Sequence, residues 1–257
     1  MAILDLHKQA AAVDLDLGAL DLGDAERASA IATWRGRMVN EHISARVFAG
    51  LVPQMMRAEI DADHQAAVAE MISDELRHAR LCAAAVLALG GAPRAELPQL
   101  TAVPEHGDAT PIEAILRNVI SVSCLSETVA VALIDSERLR AGPPALAELL
   151  KRILADEVQH ARFGWRLLDE LSPRLDAATR GRLSDYLVVA FAHLREHELA
   201  HIPARPAPSA AAESIGVCDG NEARALLFDT IEGVIIPGLC AHGLAAKAAW
   251  EASLAAA

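Results

Sequence analysis

The chain has 257 residues, 53% of them hydrophobic but only 3% aromatic, and a formal net charge of −12. That length suits one large domain or two small ones, and an apolar content rich in Ala and Leu fits closely packed helices better than a sheet. The acidic balance disfavours nucleic acid and anionic membrane as partners.

No apolar run reaches a membrane-spanning length without charge. The opening residues Met1 to His7 lack the basic start and long apolar core of a signal peptide, so a cytoplasmic location is expected, with no membrane. Cys82, Cys124, Cys218 and Cys240 are far apart and form no Cys-x-x-Cys. They read as reduced thiols, without a disulfide frame or a rubredoxin-like iron site.

In chain order, residues 1–20 read as a short apolar and acidic arm. A first long helix is expected from near Asp24, with Glu26 in its first turn, through Trp34, Met38, Glu41 and Phe48. At Gly50 and Pro53 it should kink or stop. A second helix runs from about Asp63 to Leu89, closed by Gly90-Gly91-Ala92-Pro93. Residues 91–109, with Pro93, Pro98, Pro104 and Gly107, read as a long crossover loop. Thr110-Pro111-Ile112-Glu113 is a capping box with proline at the first helical position, and it opens a third helix that ends at Ala141-Gly142. Pro143-Pro144 opens a fourth, to Leu171, and Ser172-Pro173 caps a fifth that ends before Ile202-Pro203.

Residues 203–220 read as a linker, and a last amphipathic stretch from about Asn221 to Trp250 is interrupted by Pro237-Gly238. Short turns join helices one and two, and three and four, with a longer crossover between. The expected fold is therefore a single all-α domain over 1–257. Its core, about 24–171, is a four-helix bundle of two antiparallel hairpins, with helix five (173–202) and a C-terminal extension (221–257) appended.

One stretch occurs twice. Asp74-Glu75-Leu76-Arg77-His78-Ala79-Arg80 and Asp156-Glu157-Val158-Gln159-His160-Ala161-Arg162 both read Asp-Glu-x-x-His-Ala-Arg. Glu and His three apart share a helix face and can grip one metal ion. A lone Glu-x-x-His is expected about once by chance in such a chain, and Glu198-Leu199-Ala200-His201 is a third instance. The longer repeat is far more specific.

The remaining ligands follow from depth. In an antiparallel hairpin, residues equally far from the turn lie level with each other. About fifteen residues beyond the turn near Gly142 is Glu157, and about fifteen before it is Glu127; Glu113 and Glu137 miss. In the first hairpin, turning near Asp61, Glu41 is the acid level with Glu75, while Glu26 and Glu59 miss. The apolar surroundings of Glu127 make its carboxylate costly unless it meets a cation, which a metal would supply.

Glu41, Glu75-x-x-His78, Glu127 and Glu157-x-x-His160 resemble the di-iron carboxylate site of the ferritin-like superfamily. That group includes rubrerythrins, bacterioferritins, ribonucleotide reductase small subunits, multicomponent monooxygenase hydroxylases and arylamine N-oxygenases. The resemblance covers roughly residues 24–171. It implies a ferritin-like bundle in which these six residues are both the metal ligands and the catalytic centre. Each histidine would carry one iron, Glu41 and Glu127 would be terminal or bridging, and Glu75 and Glu157 would bridge. Asp74 and Asp156 would support the cofactor by accepting the N–H of the opposite histidine. Gln159 stands where the first copy has Arg77, so the second copy departs from the family's Asp-Glu-x-Arg-His form.

Nitrogen and oxygen ligation without thiolate suits two Fe ions per chain, or Mn or an Fe/Mn pair. No flavin, NAD or Fe–S site is expected. A carboxylate-bridged ferrous pair can reduce O2 by two electrons at once. Of the functions this implies, an oxidase or oxygenase acting on a small-molecule substrate is preferred to a ferroxidase or iron-storage protein, and both to a metal-free helical interaction protein. The two extra C-terminal segments favour the first, as do the small residues one turn from the ligands (Ala45, Ala130 and Gly164). A substrate pocket is expected beside Ser123, Cys124, Ala130 and Val131. Electrons would come from an external donor such as a ferredoxin, and the assembly is expected to be a homodimer.

Other candidates read blandly. Cys82 and Cys124 are core thiols on the site's side. His193, His197 and His201 form a polar face of helix five; the third histidine of arylamine N-oxygenases would fall at Ile153. Nothing in the spacing of Tyr186 supports a radical role.

Overall fold

A computed structural model describes residues 2–202, 204 and 207–255. Among them the chain is all-α apart from one two-stranded ladder. β1 (Ile3–Asp5) and the single-turn helix α1 (His7–Ala10) lead into α2 (Asp24–Arg57) and α3 (Ala62–Ala88). β2 (Arg94–Glu96) then returns antiparallel to β1, with Leu4 opposite Ala95. The short arm expected over the first residues is thus tied to the crossover by this ladder.

α2 does not stop at Pro53 but runs on to Arg57. Proline removes one N–H from the helix, yet Leu51, Gln54 and Met55 around it are buried, and that packing outweighs the lost bond. The turn closes at Asp61, whose carboxylate accepts the N–H groups of Asp63 and His64 to start α3.

α4 (Pro111–Val119), a π-helical segment (Ile120–Ser126) and α5 (Glu127–Arg140) form one continuous helix. Only half of the expected capping box forms. Thr110 Oγ1 accepts the Glu113 N–H, but the Glu113 carboxylate is buried and bound by Arg117 and Arg182. This helix is long and apolar enough to cross a membrane, though nearly half of its most apolar stretch is buried inside the protein.

α6 (Pro144–Leu171) ends in a 3-10 turn at Ser172–Arg174. α7 (Ala177–His201) starts later than Ser172-Pro173 suggested, because Asp176 accepts the Thr179 N–H at 2.7 Å and is the real cap. Within the expected linker, Pro203, Arg205 and Pro206 lie outside the described residues. The rest is ordered by α8 (Ala210–Glu213) and by a fully buried Ile215, whose carbonyl accepts the Trp34 Nε1–H at 2.8 Å. Gly216, at φ +93, lies so close to Trp34 that a Cβ there would sit 3.1 Å from the ring.

α9 (Gly220–Thr230), a second π segment (Ile231–Ile235) and α10 (Ile236–Ala241) are again continuous, with Pro237 in the first turn of α10. The expected interruption comes later, before α11 (Ala246–Ala255), where Gly243 takes φ +78.

α2 packs along α3 and α5 along α6; α3 also meets α6, and α4 meets α2 and α7. Two apolar cores result. One holds Trp34, Met38, Cys82, Leu150 and Ile153; the other holds Phe48, Met71, Cys124 and Phe163. On α2, α3 and α6 alike the apolar pattern stops between these cores. At that one level stand Glu41, Glu75, His78, Glu157 and His160.

Candidate metal centre

Each polar side chain in this layer arrives on a helix whose flanking turns are anchored in the two apolar cores. Glu75, His78, Glu157 and His160 are at most 3% exposed and Glu127 is 7% exposed. A buried polar cluster of this kind is costly unless its atoms are paired or bound.

The two imidazoles are mirror images in role. His78 Nε2–H donates to Asp156 Oδ2 at 3.0 Å, and His160 Nε2–H faces Asp74 Oδ2 at 3.3 Å. Each aspartate therefore serves the histidine of the other helix. With Nε2 carrying a proton, both Nδ1 atoms turn inward. His78 Nδ1 lies 3.4 Å from Glu41 Oε2 and 3.2 Å from Glu157 Oε1. His160 Nδ1 lies 3.0 Å from Glu75 Oε1 and 3.3 Å from Glu157 Oε2. One carboxylate, Glu157, thus spans both imidazoles with one oxygen each. Phe48 meets the His160 ring edge-on at 5.4 Å.

Two groups of four could each hold a metal ion. Glu41, Glu75, His78 and Glu157 form one; Glu75, Glu127, Glu157 and His160 form the other. All six residues singled out from the sequence are therefore together, all from one chain, with Glu75 and Glu157 common to both groups. The fit to a cation is visible in the atoms left over. His78 Nδ1, His160 Nδ1, Glu75 Oε1 and Glu157 Oε2 are buried and crowd one another, yet none is aligned for a hydrogen bond. Two imidazole nitrogens and two carboxylate oxygens converging in this way are a donor set that a metal ion would satisfy.

The electrostatics of the cluster agree. Burial pushes the Glu75 carboxyl up to about 8, against the pull of His160. Burial and the neighbouring Glu157 charge raise Glu127 well above the carboxylate range. Burial also disfavours the Glu157 charge, but His160 and His78 outweigh it and hold that group low. Desolvation depresses both histidines, and the carboxylates more than offset it, lifting His78 to about 12 and His160 to about 10. Protons thus hold the cluster together where metal charge could.

No family model matches the chain, and no curated protein matches its sequence.

Beyond the six, Arg77 is used unexpectedly. Its Nη2 donates to Asp74 Oδ1 at 2.6 Å and to Asp156 Oδ2 at 2.8 Å, so one guanidinium serves both aspartates and both halves of the repeat. That explains how Gln159 can replace the second arginine.

A cavity of about 540 Å³ opens against Glu41, Glu75, Glu127 and Glu157. Ala130 lines it, together with Ser126, Leu133 and Ile134. Ser123 and Cys124, expected to face a pocket, instead pack on Gly164, where a Cβ would come within 2.5 Å of Ser123 Cβ. The room left by Gly164 is filled by helix packing. Cys82 lines the cavity, while Tyr186 sits 3.1 Å from Ser121 Oγ under the Arg117 guanidinium.

His197 and His201 line the cavity too, but belong to neither metal group. Sequence reasoning missed Arg37, whose guanidinium pairs with Glu137 in the cavity wall. Its position one turn before Glu41 was the available signal. A third group, Asp61, His64 and Glu170, lies at the hairpin end, where Asp61 is already engaged in capping α3.

Proposed function

We propose that this chain is a ferritin-like di-iron oxidoreductase, an oxidase or oxygenase that uses O2 on a small organic molecule. The observation that carries the reading is the pair of four-residue groups sharing Glu75 and Glu157, built symmetrically from two Asp-Glu-x-x-His helices. The pairing of α2 with α3 and of α5 with α6 supports a four-helix bundle of two hairpins around it. A ferrous pair, when bound, would supply the two-electron reduction of O2.

The chain's own residues do the rest. Asp156 and Asp74 hold the Nε2 protons, so that both Nδ1 lone pairs face inward. Arg77 fixes the two aspartates, and Glu157 reaches both imidazoles. The apolar cores above and below the layer exclude water. The cavity beside Ala130 favours an organic substrate over iron as the substrate, since a ferroxidase centre needs only an ion path. Repeated turnover would draw on an external donor such as a ferredoxin.

The test is anaerobic Fe(II) loading followed by O2, read by optical and Mössbauer spectroscopy, then a screen of amines, acids and aldehydes. About two Fe per chain are expected, and Glu157→Ala or His78→Ala should lose at least one. Ala130→Phe should keep both ions and their reaction with O2 while organic turnover falls at least about tenfold. One tightly bound zinc, unaffected by the ligand substitutions, would end the di-iron reading; iron mineral stored in bulk would point to ferroxidase chemistry.

A further inference from the structure

Nine acidic residues line the cavity, and eight have an evident partner or role. Glu41, Glu75, Glu127 and Glu157 belong to the metal groups. Glu137 pairs with Arg37, and Glu213 and Glu222 both pair with Arg140. Asp219 caps α9 by accepting the Asn221 and Glu222 N–H groups. The ninth, Glu198, has no hydrogen bond or ion pair among the described residues, although it is partly buried. A carboxylate that faces a cavity without an ion-pair partner is open to a ligand that brings a cation.

α7 starts beside α4 and the π segment and runs in the same direction. Arg182 Nε binds Glu113 Oε2 at 2.9 Å, and Tyr186 Oη lies 3.1 Å from Ser121 Oγ, contacts separated by 69 and 65 residues. Further along α7, Glu198 lines the same cavity as Glu127, and the wall they share includes Ala130, Leu133 and Ile134. The cavity therefore combines this carboxylate, an apolar wall and the carboxylates of the metal groups.

We propose that Glu198 is the anchor for a protonated amine, so that the molecule taken up is an apolar ammonium compound whose uncharged end is presented toward Glu127. This rests on the oxidoreductase reading for the purpose of the site, but the binding itself does not require it. Burial raises the Glu198 carboxyl to about 7, against the pull of His201 one turn on, which also lines the cavity. Neighbouring His197 is depressed to about 4 by burial and by His201 and His193, so it stays uncharged and does not compete as the cation.

The experiment uses three probes of one shape: 4-phenylbutylamine, 4-phenylbutan-1-ol and 4-phenylbutanoate. Their dissociation constants are measured by calorimetry at about pH 8, where Glu198 is ionised and the amine still protonated. The wild-type full chain, metal-free and Fe(II)-loaded under argon, should bind the amine at least about tenfold more tightly than the alcohol, and the carboxylate weakest. Glu198→Gln should bring the amine-to-alcohol ratio close to one while leaving the metal content unchanged. Equal binding of amine and alcohol by wild type would overturn the proposal, and needs no variant. So would an amine preference that survives in Glu198→Gln, since another carboxylate would then be the anchor. If the chain binds no iron yet keeps a Glu198-dependent amine preference, the oxidoreductase reading fails and the amine site stands.

Discussion

At the scale of single residues, His78 and His160 each hold two opposed relationships. Nε2 gives its proton to an aspartate across the interface, while Nδ1 faces carboxylates that also want one. In the metal-free chain those carboxylates lift His78 to about 12 and His160 to about 10, from an ordinary 6.5. The sign follows from linkage. Raised histidine values mean stabilisation that is fully present below about 6.5 and is lost as the pH climbs through about 10 to 12. A metal bound at the cluster would have to displace those protons. Loading the metal-free protein near neutral pH should release more than two protons per chain, from both imidazoles and from the raised Glu75 and Glu127 carboxyls, and metal affinity should rise with pH. An indicator dye in weak buffer reads this directly; uptake that is independent of pH and releases no protons would contradict the geometry at both Nδ1 atoms. The clustering of these six residues was legible in the sequence because the repeated motif pointed to four of them and turn-counting to Glu41 and Glu127. The sharing of Arg77 between Asp74 and Asp156 was not, since no one-dimensional pattern shows that two helices bring those aspartates within reach of one guanidinium.

Among the elements, the π segment Ile120–Ser126 had no sequence signal: π turns have no composition of their own and are imposed by packing. Counting back from the Gly142 turn still reached Glu127, because the α-helical register is intact on that side and the irregularity begins only beyond it. Where α6 crosses the π segment, Gly164 allows a very close approach to Ser123 and Cys124. Gly164 is one turn past His160, so the same contact sets the height of the metal-facing end of α6. Gly164→Ala should cost about 1–3 kcal/mol of stability through overpacking, since a Ser123 Cβ within 2.5 Å cannot yield without moving backbone. Thermal unfolding measures it; an unchanged or raised midpoint would mean the two helices can part freely. At Pro53, Ser172-Pro173 and Pro237 local rules pointed to a kink or stop, a cap and an interruption. The helix runs on through Pro53 and Pro237, and the cap after Ser172-Pro173 falls at Asp176, because burial of the neighbours or a better cap nearby decided the outcome.

For the molecule as a whole, the cavity wall joins elements far apart in sequence: α2, α5, the end of α7 and the stretch after α8. Composition made residues 203–220 look like a spacer, because Pro, Ala, Ser and Gly give no periodicity to read, yet Ile215 is among the most deeply buried side chains. What fastens that stretch is Trp34, hydrogen-bonded to the Ile215 carbonyl, pressed against Gly216, and covered by the Arg37 guanidinium 4.8 Å from its ring. Arg37 and Gly216 are cavity wall on their other side. The indole is therefore a built-in optical probe, dry and one layer behind the space a guest would fill. Of the three tryptophans in the chain, it is the one whose fluorescence should shift or quench when a guest draws on Arg37, and Trp34→Phe should abolish that response. A change in emission that persists in Trp34→Phe would trace instead to Trp165 or Trp250 and place the guest elsewhere.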